Sequence, residues 1–103
     1  YDKLHGGSVI LAVDAATLVG TYALAGMLLA GVGESVTAAL VNLTDGSPDT
    51  PIATISSTDN TGERQISGDI TFPAGGSTKN YGIKVKVSGG VGFGWGFSLV
   101  RTA

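Results

Sequence analysis

Alternating positions dominate the C-terminal third of the chain. Tyr81, Ile83, Val85 and Val87 are separated by Gly82, Lys84, Lys86 and Ser88. In an extended chain successive side chains point to opposite faces, so the first set is assigned to a core and the lysines to solvent. Phe93, Trp95, Phe97 and Leu99 repeat the pattern, opposed by Gly94, Gly96, Ser98 and Val100. Strict alternation puts all four bulky residues on the core. Glycines along the other side signal a close backbone approach there, from a strand, a bulge or a neighbouring subunit.

Turn-forming clusters recur at Gly31–Ser35, Asp45–Pro51, Thr58–Gly62, Pro73–Thr78 and Ser88–Gly90. The runs between them are rich in Val, Ile, Thr and aromatics, the composition of strands. Strands are therefore expected at about Ser8–Val13, Val19–Leu29 (with a break near Gly26), Val36–Thr44, Ile52–Ser57, Arg64–Phe72, Tyr81–Ser88 and Phe93–Arg101. Such spacing predicts an all-β fold, one antiparallel β-sandwich or jelly roll of seven or eight strands. Apolar positions at helical spacing with caps occur nowhere, and Asp14–Leu18 offers one short turn at most. Residues 1–7 are polar and end in Gly-Gly, which reads as an arm or linker leading into a domain spanning 8–103.

Composition sharpens this picture. The 103 residues suffice for one domain. Only 14 % are charged, against about 25 % in ordinary soluble domains, while 43 % are apolar. Much of the surface is thus expected to face something other than bulk water. Neighbouring subunits in an assembly and a Thr/Ser/Gly-rich extracellular surface both account for it. The net charge of −2 and the lack of a basic patch beyond Lys84 and Lys86 argue against nucleic-acid binding. The uncharged stretch Ala15–Gly33 approaches the length that spans a bilayer, but three glycines dilute it and no basic flank anchors it. Two buried strands are expected there, and no membrane partner. Because the chain begins at Tyr1 rather than Met, it is expected to be processed, trimmed or part of something larger.

Candidate chemistry is sparse. Cysteine is absent, which removes disulfides and thiolate metal sites. The single histidine, His5, lies in the terminal arm, where a catalytic base cannot be held rigidly. Most acids fall at expected turns, where Asp side chains bond to nearby amides. Asp45 and Asp49 share one loop, yet Asp45-Gly-Ser-Pro-Asp49 lacks the alternate acids and distal Glu of a calcium loop. The glycines from Gly89 to Gly96 alternate with aromatics inside a strand, unlike a nucleotide-binding loop. Tyr81, Phe93, Trp95 and Phe97 offer ring faces for a sugar-stacking platform, but their alternation favours a core. Neither catalytic residues nor a cofactor nor a metal is expected. Tyr1, Leu4, His5, Asp45, Asp49 and Trp95 remain as candidate ligand or subunit contacts.

Five runs in order carry a resemblance: Val41-Asn42-Leu43-Thr44-Asp45-Gly46, Ile52 to Ser57, Phe72 to Ser77, Tyr81 to Gly90, and Trp95-Gly96-Phe97-Ser98-Leu99-Val100. Together they resemble the Thr/Gly-rich β-sandwich modules of tailed-phage virions, namely capsid decoration (cement), head-fibre and tail-fibre proteins. The resemblance implies a jelly-roll-like fold on the virion surface, homo-oligomers that are often trimers, and contact with a major capsid or fibre protein. It carries no catalytic residue across. Three functions follow as expectations. The first is a structural cement subunit. The second is a receptor- or carbohydrate-binding module of a tail fibre or adhesin, with a glycan as partner. The third is an extracellular, pilin-like filament subunit assembled by strand donation.

Overall fold

A computed structural model describes residues 3–4, 11–14, 20–44, 47–72, 78–88 and 92–103. Among these residues every regular element is a strand. Six strands form the body: β1 (Tyr22–Ala30), β2 (Val36–Asn42), β3 (Ser47–Ser57), β4 (Glu63–Ile66), β5 (Lys79–Val87) and β6 (Gly92–Arg101). They build two three-stranded antiparallel sheets, ordered β5-β2-β3 and β4-β1-β6. Two short segments, Lys3–Leu4 and Leu11–Val13, pair antiparallel along β5 opposite Val85–Lys84 and Tyr81–Lys79. Among the described residues the expected seven or eight strands thus become six in the two sheets' body: only Leu11–Val13 of the first lies among them, and the second runs through Gly26 unbroken.

Both sheets feed one core. Leu24, Leu28 and Ala30 of β1 pack with Val36, Ala38 and Leu40 of β2, Ile55 of β3, and Tyr81 and Ile83 of β5. This arrangement is compatible with a β-sandwich. Tyr81 is fully buried and meets the Phe72 ring edge-on, with centroids 5.4 Å apart and planes at 77°, the geometry that the ring quadrupoles favour. On β5 the expected faces hold: Tyr81 and Ile83 are buried, Val85 and Val87 pack against them, and Lys86 is exposed.

Only β2 and β3 are joined within a sheet, through the turn after Asn42; every other connection crosses between sheets. The crossings are tied by local bonds. The 31–34 turn closes with Glu34 N donating to Gly31 O at 2.9 Å, and its Gly33 has φ +75°. Ser35 N donates to Ser88 Oγ, while Ser88 Oγ donates to Glu34 Oε2, at 2.8 and 2.9 Å. Ala30 N donates to Asp59 O at 2.8 Å, linking two crossings at the same end.

Two other expectations are corrected. The Asp45–Pro51 segment was expected as a turn, but from Ser47 onward it is strand, its pairing with β2 irregular around Val41, opposite Pro51. The strand expected at Arg64–Phe72 leaves regular pairing after Ile66. Beyond it the chain is held by Ser67 N on Leu24 O and Ile70 N on Tyr22 O, each 2.8 Å. The short turn expected at Asp14–Leu18 lies outside the described residues after Asp14.

Candidate interaction surface

A bulge in β6 sets the surface chemistry of the smaller sheet. Ala25 pairs with Ser98, and Met27 pairs with Trp95, so Gly96 and Phe97 together stand opposite Gly26 alone. Two residues facing one is a β-bulge, and Gly96 has φ +65°, the left-handed conformation that one such bulge requires at its first position. The extra residue reverses the alternation. Phe97 and Leu99 pack against the core. Phe93 and Trp95 face outward and are 58 % and 43 % exposed. Their expected core placement is therefore corrected, since counting by twos fails across an inserted residue.

Phe97 turns inward because glycine leaves it room. A Cβ on Gly26 would lie 2.6 Å from Phe97 Cδ1, and one on Gly94 would lie 2.6 Å from Phe97 Cζ. The ring thus occupies a slot between two strands that any side chain would close. The close approach signalled by the glycines is made by a ring of the same strand.

The outer face of the smaller sheet follows from the register. Residues directly opposite in antiparallel strands share a face. Trp95, Met27 and Arg64 form one row across β6, β1 and β4, and Phe93 stands opposite Leu29 one row along. Ile66, Ala25 and Ser98 form the next row on the other side. Ala25 is buried, Met27 and Leu29 are partly exposed, and Ile66 is 49 % exposed. The Trp95 indole reaches over the turn before β4, its Cη2 lying 3.4 Å from where a Cβ of Gly62 would stand.

The opposite side of the molecule differs. On the larger sheet Thr37 stands between Lys86 and Ser56, and Ala39 between Lys84 and Thr54. Among the described residues the exposed large apolar ones are Phe93, Trp95, Ile66 and Val32, the last at the tip of the 31–34 turn. All four belong to the smaller sheet or to the crossing that leaves it.

Polar clusters are built for structure. Asp59 Oδ1 accepts from Thr61 N and Thr61 Oγ1, both at 2.7 Å. The Thr61 hydroxyl and then its amide, with the Gly62 amide, hold the Asp59 carboxyl below its ordinary value of 3.8. Glu63 Oε1 accepts from Ser57 Oγ at 3.1 Å and also from Gln65 Nε2. Thr102 Oγ1 donates to Asp69 Oδ1 at 2.8 Å and lies 2.8 Å from Thr21 Oγ1, tying the chain end to β1. Asn42 of the Asn-Leu-Thr triplet is buried, with Oδ1 accepting from Thr44 N at 2.9 Å. Among the described residues no group of three or more acids or histidines is placed to hold a metal ion. None of the described helices or strands is a helix long and apolar enough to cross a membrane.

Among the described residues, Trp95 is the contact candidate that joins this surface, together with Phe93, which the sequence offered only as part of a disfavoured aromatic platform. The backbone of Leu4 lies along β5 and that of Asp49 within β3. Tyr1, His5 and Asp45 lie outside the described residues. Met27, Leu29, Arg64 and Ile66 were not anticipated. The available signal was the 19-residue uncharged stretch Ala15–Gly33, since a strand apolar on both faces is one covered on both faces. Compared with protein-family models, curated proteins and solved structures, the chain matches none.

Proposed function

We propose that this chain is a structural virion protein, a capsid decoration (cement) subunit that docks through the outer face of its smaller sheet. The observation that carries the reading is the apolar patch of Phe93, Trp95, Met27 and Leu29 on the outer face of the smaller sheet. Phe93 and Trp95 present about 200 Å² of open side-chain surface between them, taking aromatic side chains at 150–250 Å². Covering it is worth at most about 5 kcal/mol at 25 cal/mol per Å². That is a modest single contact, suited to a protein bound in many copies. In this reading the sheets form a jelly-roll-like β-sandwich on the virion surface, with a major capsid protein and further copies, as a trimer, for partners. The function needs shape and surface, and no catalytic residue or cofactor.

Shells stripped of the chain and then rebound test it. Added protein should raise the temperature at which the shells open, and Trp95→Ser with Phe93→Ser should abolish rebinding. Shells that open at one temperature with and without bound protein would sink the reading.

A second reading has one observation in its favour. The exposed Trp95 indole beside the Asn60-Thr61-Gly62 turn is a surface on which a sugar ring can stack, as in a receptor-binding tip of a tail fibre or an adhesin. Glycan-array binding lost in Trp95→Ala, with the fold retained, would favour it over cement.

A further inference from the structure

Arg64 stands in the row Trp95–Met27–Arg64, on the outer face of the smaller sheet. It is exposed, and it has no hydrogen-bond or ion-pair partner among the described residues. Its neighbours in sequence do not neutralise it. Glu63 pairs with Leu28, a core residue, and so lies toward the other face, where it is engaged by Ser57 and Gln65. Asp59 lies in the turn before β4, outside these rows, with its Oδ1 accepting from Thr61. Arg64 is thus the one charged residue in the described rows of this face, a guanidinium set among Met27, Trp95 and Ile66.

We infer that this face takes a partner unlike itself: a different protein subunit presenting an apolar surface with a carboxylate opposite Arg64. The inference deepens the cement reading, on which it rests for the nature of the assembly. Two physical arguments carry it. A two-fold pairing of identical faces must be self-complementary. Here it would bring two guanidinium groups into one interface with no acid in the described rows of either copy, or bury each against apolar side chains. An uncompensated buried charge is strongly unfavourable. A carboxylate partner converts the same group into a bidentate, charge-assisted pair, and the apolar rim of Trp95, Phe93 and Met27 keeps water from it. Arg64 therefore sets which surfaces the face accepts, while the aromatics supply most of the contact. Trimer contacts, in this scheme, use other parts of the domain.

Sedimentation velocity on wild type and Arg64→Leu tests the self-exclusion. Wild type should show no association that depends on Trp95. Arg64→Leu, which removes the charge and keeps the apolar rim, should self-associate at least tenfold more tightly, and a further Trp95→Ser should reverse this. Wild-type dimers abolished by Trp95→Ser would make a second copy the occupant and overturn the inference, as would an Arg64→Leu variant no more associated than wild type. Rebinding to stripped shells tests the acidic partner. Arg64→Glu should weaken it at least thirtyfold and Arg64→Lys less than tenfold; equal binding by Arg64→Glu would overturn the inference and leave the cement reading standing. If wild type fails to bind shells while Arg64→Leu self-associates as stated, the cement reading falls and the heterologous face survives. Sialyllactose binding that requires both Trp95 and Arg64 would assign the carboxylate to a sugar and overturn the protein partner.

Discussion

Deleting Gly96 removes the extra residue of the bulge and leaves a regular ladder, with Trp95 still opposite Met27, Phe97 opposite Gly26, and Ser98 and Leu99 still opposite Ala25 and Leu24. Strict alternation then keeps Phe93 and Trp95 outward and Phe97 and Leu99 inward. Were the faces to exchange instead, Phe97 and Leu99, both mostly buried against the core, would turn outward. Full burial of such side chains is worth about 1.5–3 kcal/mol each, so that exchange would cost about 2–5 kcal/mol. The slot beside Gly26 and Gly94 would also stand empty, adding about 24 cal/mol per Å³ unfilled. Turning Trp95 inward could not compensate, because that slot is bounded by Ile55 and Leu28 and fits a ring arriving from the Phe97 position. Exchange would therefore cost at least about 3 kcal/mol, a large part of the 5–15 kcal/mol by which ordinary domains are stable. With the faces kept, the deletion should stay within about 1 kcal/mol of wild type, since losing a flexible glycine also stiffens the unfolded chain. Gly96→Ala is the matched control. A Cβ there meets nothing within 4 Å, so the variant isolates backbone strain. The left-handed conformation costs a non-glycine residue about 1–2 kcal/mol, offset by about 0.4–1 kcal/mol from a stiffer unfolded chain. A net loss of about 1 kcal/mol is expected. Urea denaturation followed by Trp95 fluorescence reads both variants: Gly96→Ala should lower the midpoint with an unchanged slope and an unshifted native emission. A deletion variant at least about 3 kcal/mol less stable than wild type, with its tryptophan emission shifted, would refute the claim that the bulge assigns the faces.

Further outcomes follow from the same geometry. Gly94→Ala drives a methyl against the Phe97 ring and should cost about 1–3 kcal/mol, as overpacking does; in a Phe97→Leu background, thermal or urea unfolding should show a smaller increment. Trp95→Ser should cost about 1–2 kcal/mol, because just over half of the ring is covered by the sheet and the turn at Gly62, and it should retain the fold while abolishing shell rebinding by pull-down. Asp59 has a folded pKa below its unfolded value. Its contribution to stability is therefore present above the ordinary value of 3.8 and lost as pH falls through the folded one. Asp59→Asn should flatten the acid limb of the stability profile below about pH 4 and, by removing the contribution present above it, lower stability slightly near neutrality. Thr61→Val, which removes the hydroxyl donor, should raise the Asp59 value measured by NMR titration.

The face assignment of β5 was legible in the sequence because nothing interrupts it. Tyr81, Ile83, Val85 and Val87 keep strict alternation from end to end, and period two is a local property of extended backbone. In β6 the same pattern gave the wrong faces for Phe93 and Trp95. A bulge is defined by two strands, and the partner residue Gly26 lies about 70 positions away in the chain. The Gly-aromatic alternation announced a close approach, but it could not tell whether a ring, a strand or a neighbour made it. Likewise the apolar character of Tyr22–Ala30 marked a strand covered on both faces without naming the cover.

Turn residues, short β-prone runs and sparse charge are written in single residues and their near neighbours, and they carried the all-β class. Pairing is a long-range matter. Which strand lies beside β1, where the register slips, and whether Arg64 finds an acid depend on segments brought together when the apolar faces are buried. The exposed row of Phe93, Trp95, Met27 and Arg64 exists because one glycine, free to adopt a positive φ, inserts an extra residue opposite another glycine. Local preference permits that insertion at several places in Gly92–Gly96; packing Phe97 into the space between strands selects the one that occurs.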